Sequence, residues 1–521
     1  MKATMRIYEE IDTLGEIKKQ LSEELMNTQQ KNLKYLWLAL FAVLTLFVGG
    51  RWNFPLAAWL APIFAVRFYR DSKKGGCAFL WLWLAVAISS IIAWNGATAM
   101  GFLHSLAEPI FFIAIASITL IPYVVDRLYY RRWTKGGVSP FWLTLVYPVS
   151  VTAIDFFSAS SSPFGSFGAA AYSQTNFTVL MQLTAVTGMW SIPFIVGWFA
   201  STINYVWENG FQWTKTKRGV LTFAGVLILV FGFGFVRMAL ADPAEQEVQI
   251  AGFSLPEEEL VSMGDEEAFR EAVRELHAQQ LAQVRVLAQE GAEIVVLQEL
   301  AGMGFAEEVD AFLVNAASLA QEEGIYLVLP TATMDPAGKK KFHNVVRIID
   351  PNGEIVLEHY KYGGTQFEGS VTGSGELQTV ETPYGTLSAV VCWDADFPAT
   401  LRQAGEQDVD LLFIPANDWL EIRDIHVGMA TFRAVENGLP IFRQTGAGIS
   451  IVTDAYGRVV NRIDTFEEEN AGTWGGEQMV MVPVGSTETL YPIIGDAFGM
   501  AMLVGMLGLV IVAWWKKRYI K

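Results

Sequence analysis

The chain has 521 residues, of which 52% are hydrophobic and 17% charged, and its formal net charge is −17. Soluble domains usually carry about 25% charged residues, so this composition argues against an ordinary soluble protein and favours a membrane protein with one soluble part. Most acidic residues lie in that soluble part, between Glu245 and Glu488. This argues against a nucleic-acid partner, because phosphate binding needs a basic surface.

The first 31 residues contain the segment EEIDTLGEIKKQLSEEL, which predicts a charged amphipathic helix. A signal peptide would have an apolar stretch after a short basic start, and the segment lacks one. We therefore expect residues 1–31 to form a solvated helix on the cytoplasmic side. A role in binding a partner protein is the alternative.

Eight apolar runs near the length of a membrane span follow this segment. They lie at residues 33–50, 54–69, 77–95, 104–125, 138–157, 186–206, 219–240 and 497–515. The second run is short and begins at Pro55. These runs predict a transmembrane bundle at 32–242 with about seven spans, and a final span with a basic tail at 491–521.

Lysine and arginine mark alternate loops between these runs. They cluster before the first run and after the second, fourth, sixth and eighth, whereas residues 96–103 and 158–185 contain none. By the positive-inside rule both termini are cytoplasmic, and the segment 243–490 lies outside. The uncharged, aromatic loop 158–185, with Pro163, Gly165 and Gly168, is expected to line a lipid pocket; a passive re-entrant connection is the alternative.

Segment 243–490 alternates strand-like and helix-like patterns, which predicts a layered α/β domain. The predicted helices lie at 265–290, 307–323 and 426–437, and a Pro351-Asn352-Gly353 turn joins a hairpin. The predicted strands are 248–253, 293–298, 326–334, 344–350, 387–393, 410–416, 439–445 and 450–454.

Three residues with complementary chemistry stand at the ends of such strands: Glu299, Lys361 and Cys392. A cysteine attacks as its thiolate, which a nearby carboxylate produces by taking the proton. A nearby ammonium stabilises the oxyanion of the tetrahedral intermediate. Spacing alone does not bring the three together, so scattered surface charges and a core cysteine remain the alternative. Cys77, in an apolar run, is expected to be a small buried hydrophobe.

Segment 247–485 resembles the nitrilase, or carbon–nitrogen hydrolase, superfamily. That family has a Glu–Lys–Cys triad in this chain order, and further motifs match. These are Asn417-Asp418, Phe432-Arg433-Ala434-Val435-Glu436-Asn437-Gly438, Gly448-Ile449-Ser450 and Asp454-Ala455-Tyr456-Gly457. The resemblance implies an α-β-β-α sandwich in which Glu299, Lys361 and Cys392 are catalytic.

The layout of several spans, one outer domain and a final span resembles the apolipoprotein N-acyltransferase family. Arg51-Trp52-Asn53-Phe54-Pro55-Leu56-Ala57 and the segment from Pro163-Phe164-Gly165 to Ala171-Tyr172-Ser173-Gln174 resemble membrane motifs of that family. The chain departs from the family pattern at Leu297-Gln298-Glu299, Trp393-Asp394, Trp419-Leu420 and Thr365-Gln366-Phe367-Glu368. These departures leave the triad intact and put the acyl donor and acceptor in doubt.

Six residues are candidates for supporting roles: Glu368, Trp393, Asp394, Asn417, Arg433 and Glu436. Trp393, Asp394, Arg433 and Glu436 have structural alternatives. Trp393 packs in the core, Asp394 and Asp396 cap a helix, and Arg433 with Glu436 forms an ion pair near the site. His426 is either polar lining or structural. The Gly-rich segment 362–375 is either a lid or a surface loop.

The resemblance implies a multi-pass protein of the bacterial inner membrane with an extracytoplasmic catalytic domain. A fatty acyl chain would pass from a phospholipid to the Cys392 thiol, and then to the N-terminal amine of a lipid-modified lipoprotein. We expect no cofactor and no metal, because no dinucleotide, phosphate-loop or metal-ligand spacing is apparent. A membrane-anchored amidase and a non-catalytic scaffold are the competing functions.

Overall fold

The computed structural model of the protein describes residues 33–134, 140–241, 244, 246–255, 266–467 and 474–519. The helix predicted at 1–31 lies outside these residues. Two parts follow one another along the chain. They are a bundle of apolar helices, closed by the last helix of the chain, and an α/β domain inserted before that last helix.

Eleven helices precede the α/β domain in the described residues. They are α1 (Leu33–Thr45), α2 (Pro55–Asp71), α3 (Gly75–Ala93), α4 (Met100–Leu103), α5 (Ala107–Thr119), α6 (Ile121–Trp133), α7 (Val146–Ser161), α8 (Thr178–Met181), α9 (Thr184–Thr187), α10 (Ser191–Glu208) and α11 (Trp213–Ala239). Short 3₁₀ turns at Phe141–Leu145, Ala170–Gln174 and Gly188–Trp190 adjoin them.

Six helical stretches of the described chain are long and apolar enough to cross a membrane. They are Gly75–Ala93, Ala107–Trp133, Phe141–Ser161, Thr178–Glu208, Trp213–Ala239 and Ala497–Trp515. All eight predicted runs coincide with helices, but α1 and the 17-residue α2 fall below the length of a span by this criterion. Gly49 and Gly50, both with positive φ, turn the chain after α1, and Pro55 begins α2. By length and composition the described residues thus contain six candidate spans, and the count of eight stays a prediction.

One expectation about the bundle is corrected. Cys77, expected to be buried, is exposed on α3. The loop 158–185 contains the end of α7, the 3₁₀ turn at Ala170–Gln174, α8 and the start of α9.

The two ends of the bundle differ in what they contact. At one end, Gly96, just after α3, accepts a hydrogen bond of 2.7 Å from Trp419 Nε1 of the α/β domain. At the other end, Arg132 in the last turn of α6 donates to the carbonyl of Ala513. Ala513 lies 16 residues into the last helix (Ala497–Tyr519), which begins at the α/β domain. At about 1.5 Å per residue, that carbonyl is roughly 24 Å from the start of the helix.

The α/β domain contains fifteen strands among its described residues. They are β1 (Gln246–Ser254), β2 (Ile294–Leu297), β3 (Gly302–Phe305), β4 (Tyr326–Met334), β5 (His343–Ile349), β6 (Ile355–Tyr360), β7 (Thr379–Thr382), β8 (Gly385–Ala389), β9 (Leu411–Phe413), β10 (Ala416–Asn417), β11 (Ile441–Arg443), β12 (Thr445–Gly446), β13 (Ile449–Thr453), β14 (Val459–Asp464) and β15 (Gly475–Val484).

Helices connect or follow these strands. They are α12 (Glu266–Gln289), α13 (Ala306–Glu323), α14 (Thr365–Glu368), α15 (Pro398–Glu406), α16 (Arg423–Asn437), α17 (Tyr491–Ile494) and α18 (Ala497–Tyr519). One sheet has the order β15-β1-β2-β4-β5-β6, with β3 paired to β4, and the other has the order β14-β13-β11-β9-β8-β7. The predicted turn closes the β5–β6 hairpin, where Gly353 N–H donates to the Asp350 carbonyl.

The two sheets pack face to face over a core that includes Val248 and Val296 from one and Leu387 and Phe413 from the other. Helices α12 and α13 cover the outer face of the first sheet. Helices α15 and α16 cover the outer face of the second. The predicted α-β-β-α sandwich is thus confirmed. It follows from apolar residues on both faces of the central strands, which require a layer on each side.

Candidate active site

Glu299 and Lys361 lie together at the ends of two strands of the first sheet. Glu299 follows β2 and Lys361 follows β6. Lys361 Nζ donates a hydrogen bond of 2.7 Å to Glu299 Oε1, and Asn344 Nδ2 donates one of 2.8 Å to the same oxygen. The lysine is fully buried, so its ammonium has left water and needs these acceptors.

Glu368 is the second carboxylate that pairs with Lys361. It ends the short helix α14, and Lys361 Nζ forms an ion pair with its Oε1. The departure from the family pattern around Thr365–Glu368 therefore leaves Glu368 in contact with Lys361. Burial raises the pKa of Glu368, which the ammonium of Lys361 partly opposes.

Cys392 begins a tight turn rather than extending a strand. The strand predicted at 387–393 ends at Ala389, and Cys392 opens a 3₁₀ turn with φ of +46°. A non-glycine residue in this region is strained, and such strain is concentrated at functional sites. The backbone is held by a 2.8 Å hydrogen bond from Cys392 N–H to the Pro415 carbonyl.

The charges of Cys392 and Lys361 act on each other. Burial raises the pKa of the Cys392 thiol well above its usual value, and the carboxylate of Glu299 raises it further, whereas Lys361 opposes this. Burial lowers the pKa of Lys361, but Glu299, Cys392 and Glu368 outweigh that effect and keep the lysine charged. The three residues of the predicted triad therefore share one buried site. A thiolate forms there only if Glu299 accepts the proton and Lys361 offsets the negative charge.

Asp394 fastens the turn that carries Cys392. Its Oδ2 accepts a 2.9 Å hydrogen bond from Val391 N–H and is paired at 2.9 Å with His359 Nε2. Its Oδ1 accepts hydrogen bonds from the N–H groups of Tyr362 and Gly363, which directly follow Lys361. Asp394 therefore caps the turn, as the structural alternative expected, and also ties the chain at Cys392 to the chain at Lys361.

A second charged cluster lies on the other side of the sulfur. Asn417, on β10, faces Cys392 with its backbone carbonyl at 4.0 Å from Sγ. The next residue, Asp418, accepts a 2.8 Å hydrogen bond from His426 Nδ1 and two from Arg443. Burial lowers the pKa of His426, but Asp418 and Asp396 outweigh that effect and raise it to about 9.

Cys392, Asp418 and His426 present donor atoms within 4.8 Å of one another, which is close enough to hold a metal ion. Two cationic side chains, Arg443 and His426, already bind the carboxylate of Asp418. These residues are therefore better suited to an ion-pair network than to a metal, because the cations would oppose a bound metal ion. The expectation that the protein needs no metal or cofactor stays a prediction.

Trp393 belongs to an aromatic layer between the α/β domain and the bundle. Its ring lies 5.8 Å from Phe164 of the membrane part and 6.0 Å from Phe367, and the last two stack at 4.5 Å. Segment 362–375 approaches the same ring, because a Cβ at Gly364 would lie 2.2 Å from Trp393. Segment 362–375 thus covers Trp393, the residue after Cys392. That the segment opens and closes as a lid stays a prediction.

A cavity of about 1230 Å³ extends from this aromatic layer into the helix bundle. Trp393, Trp419 and His426 border it from the α/β domain, and Gly165 and Gly168 of loop 158–185 are also in its wall. Cys392 directly precedes Trp393 in the chain. The loop is therefore part of a cavity, as expected, and not a passive connection.

The loop also docks directly on the turn of the cysteine. Ser166 donates to the Asp396 carbonyl from its N–H and from its hydroxyl, both at 2.7 Å. Gly165 has φ of +58°, and a Cβ there would lie 2.4 Å from the same carbonyl oxygen. Only glycine permits this approach without displacement.

Arg433 and Glu436 pair with each other at 3.1 Å and are fully buried. Their other contacts run to the membrane part, because Arg433 donates to Tyr172 Oη at 3.1 Å and Glu436 accepts from Met189 N–H at 2.9 Å. This matches the structural alternative of an ion pair. Burial raises the pKa of Glu436 to about 7, which Arg433 partly opposes.

Four polar residues at the site were not identified as candidates from the sequence: Asn344, His359, Asp418 and Arg443. Each occupies a strand or a strand end, as the triad does, and Asp418 follows Asn417, which was identified. A search for polar residues in otherwise apolar strands would have found Asn344 and Arg443.

Residues 260–473 match the carbon-nitrogen hydrolase family. The chain is 21% identical to the apolipoprotein N-acyltransferase of Geobacter metallireducens over 423 residues, which are 75% of this chain and 77% of the relative. It is 23% identical to the one of Borreliella burgdorferi over 84% of this chain and 86% of the relative. Among solved structures, an amidase from Nesterenkonia sp. is 20% identical over 47% of this chain and 92% of its own, with a TM-score of 0.36.

Proposed function

We propose that this chain, which carries a carbon–nitrogen hydrolase domain on a membrane helix bundle and is similar to apolipoprotein N-acyltransferases, transfers a fatty acyl chain through Cys392. The donor is a membrane phospholipid. The acceptor is the N-terminal amine of a lipid-modified lipoprotein. The similarity extends over 75% of the chain, so it includes membrane helices as well as the α/β domain.

The observation that carries this proposal is the cavity of about 1230 Å³, which reaches from the helix bundle to Trp393 and His426. A small amide needs no such space among apolar helices. Burying one methylene is worth about 0.8 kcal/mol, so lifting roughly 15 of them into water would cost on the order of 12 kcal/mol. A chain that stays in the cavity while its ester reacts avoids this cost.

In the first step, Glu299 takes the proton of the Cys392 thiol and the sulfur attacks the ester carbonyl of the phospholipid. Both hydrogen bonds described for the Glu299 carboxylate end on Oε1, which leaves Oε2 for the thiol proton. Lys361 stabilises the oxyanion. The carbon–oxygen bond then breaks, the leaving alkoxide takes the proton from Glu299, and a lysophospholipid departs from the thioester.

In the second step, the amine of the acceptor attacks the thioester carbonyl. Glu299 takes a proton from the amine, the carbon–sulfur bond breaks, and the thiolate of Cys392 recovers the proton. Glu368 holds Lys361 in place through both steps. The aromatic layer of Phe164, Phe367 and Trp393 keeps water from the thioester, which would otherwise hydrolyse.

The proposed location is the inner membrane of a bacterium, with the α/β domain outside and both termini in the cytoplasm. The distribution of lysine and arginine supports this orientation. Arg132 and Ala513 lie at one end of the bundle. The same distribution of lysine and arginine supports a cytoplasmic location for that end.

The test uses the full-length protein in vesicles that contain a phospholipid with an isotopically labelled acyl chain. The acceptor is a synthetic peptide whose first residue is a diacylglyceryl cysteine, and the control peptide has that amine acetylated. We expect labelled acyl amide on the free-amine peptide alone. Release of labelled fatty acid at the same rate with either peptide would instead identify a membrane-anchored hydrolase.

A further inference from the structure

A second cavity, of about 280 Å³, lies at the end of the bundle away from the α/β domain. Its wall is formed by Tyr69, Gly75, Val124, Arg127, Leu128, Arg131 and Arg132. It therefore joins the end of α2, the start of α3 and about the last three turns of α6. This cavity has no part in the acyl transfer described above.

The three arginines of this cavity lack acidic partners among the described residues. Arg127 and Arg131 both donate to the carbonyl of Ser72, at 2.5 and 2.6 Å, and Arg132 donates to the carbonyl of Ala513. Arg70, nearby on α2, differs because it is paired with Asp126 and Glu208. The cavity thus has a concentration of positive charge that carboxylates do not balance.

Arg127 carries the strongest indication of a ligand. It is 6% exposed, it stacks on the Tyr69 ring at 4.6 Å, and its Nη1 has no hydrogen-bond partner in the described residues. Leaving a buried charged donor unpaired costs more than leaving a neutral one. A ligand that accepts hydrogen bonds at this guanidinium would remove that cost.

The start of α3 adds to the preference for an anion. This 19-residue helix begins at Gly75, and no side chain caps its N-terminus. The free N–H groups and the dipole of a helix N-terminus favour negative charge. Gly75 lies against Arg127, because a Cβ there would be 3.3 Å from Nε, so the guanidinium and the helix start adjoin the same space.

We propose that this cavity binds the phosphate group of an anionic phospholipid from the leaflet at that end of the bundle. Arginines bind phosphate oxygens through paired N–H groups, and basic cavities between membrane helices bind such head groups. Val124 and Leu128 give the cavity an apolar side, and Leu128 is 46% exposed on the bundle surface. That side suits the glycerol and acyl portion of a lipid and offers nothing to free phosphate.

The test measures the thermal unfolding midpoint of the purified full-length protein in a neutral detergent. The protein is titrated separately with short-chain phosphatidylglycerol, with phosphatidylcholine of the same chain length, and with inorganic phosphate, all at constant ionic strength. We expect a saturable rise with phosphatidylglycerol alone. An equal rise with inorganic phosphate would overturn the lipid assignment, and equal rises with the two lipids would overturn the proposed recognition of an anionic phospholipid, because phosphatidylcholine has the same phosphate but no net charge.

Variants then locate the effect. Arg127→Gln should raise the half-saturating phosphatidylglycerol concentration about tenfold, because it removes a charge-assisted contact. Arg131→Gln, at an exposed residue, should raise it several-fold and tests the site even if Arg127→Gln fails to fold. Arg218→Gln, an exposed residue on α11 outside the cavity, is the matched control and should change nothing. Unchanged half-saturation in both cavity variants would contradict the proposal.

Discussion

Glu299 Oε1 and Lys361 Nζ lie 2.7 Å apart, and both side chains are almost completely buried. The pair stands beside a cysteine whose thiol is also buried. The carboxylate of Asp418 is also near the sulfur, but it is already paired with Arg443 and His426. Glu299 is therefore the better acceptor for the proton of the thiol, and the ammonium of Lys361 is placed to offset the resulting negative charge. We infer that Glu299 moves the proton and Lys361 stabilises charge, and this division of roles leads to distinct expectations for each residue.

Glu299→Gln keeps the shape of the side chain and an oxygen for Lys361, but it removes the proton acceptor. A general base contributes about 10²–10⁴-fold in rate. We therefore expect acylation of Cys392 to slow by at least about 10²-fold, as measured by the single-turnover release of lysophospholipid. Glu307→Gln, on an exposed side chain of the same domain, should retain the normal rate. Normal acylation in Glu299→Gln would rule out this base.

Lys361→Met removes the cation between Glu299 and Glu368 and keeps a long unbranched side chain. Breaking a buried ion pair costs about 3–5 kcal/mol, so the unfolding midpoint should fall and activity should be lost. Adding Glu368→Gln removes one of the two facing carboxylates, so the double variant should be more stable than Lys361→Met alone. Lys217→Met, on an exposed residue of α11, is the control. Additive losses in the double variant would mean that the three charges do not interact.

Gly165→Ala tests the docking of the membrane loop on the nucleophile turn. The added Cβ would meet the Asp396 carbonyl at 2.4 Å, and φ of +58° disfavours any side chain there. We expect slower acylation at normal protein yield, because the turn that carries Cys392 is displaced. Gly225→Ala, which places its Cβ in open space on α11, should behave as wild type. An active Gly165→Ala variant would show that the contact is not needed.

His426 gives the protein a stability that depends on pH. Its pKa is raised from 6.5 to about 9 by Asp418 and Asp396, which outweigh the effect of burial. Because the folded pKa lies above the unfolded one, this stabilisation is complete below pH 6.5 and is lost as pH rises toward 9. The linked change is on the order of 3 kcal/mol.

The measurement for His426 is the unfolding midpoint from pH 6 to pH 10. His426→Gln should flatten the decline on the alkaline side, whereas His343→Gln, at an exposed residue, should leave it in place. A decline of the same size in His426→Gln would assign the effect to other groups.

The strand-end positions of Glu299, Lys361 and Cys392 made these residues candidates in the sequence, and the resemblance to the carbon–nitrogen hydrolase superfamily implied that they act together. The sequence also predicted most central strands, whose apolar runs are long and bounded by turns. It placed Cys392 in a strand, because LSAVVCW is mostly apolar. In the structure, hydrogen bonds from the N–H groups of Val391 and Gly363 to Asp394 stabilise a turn there. The contact between Gly363 and Asp394 joins residues 31 positions apart, so the local pattern does not reveal it.

The same reason explains what the sequence missed in the membrane part. Apolar composition located the long helices of the described bundle but not their lengths. The predicted run 33–50, for example, continues beyond the end of α1 at Thr45 to Gly49 and Gly50, which adopt positive φ. The pairing of Arg433 with Tyr172, 261 residues earlier, joins the α/β domain to the bundle. Hydrophobic periodicity carries no information on a contact of this kind.

The most direct measurement is the intact mass of the full-length protein after incubation in phospholipid vesicles without any acceptor, followed by peptide mapping. The account predicts one added fatty acyl group, located on Cys392 and released by hydroxylamine as a thioester would be. The adduct should be absent from Cys392→Ala and present in Cys77→Ala. A protein that transfers acyl chains with no acyl group on Cys392, or with one on another residue, would contradict the account.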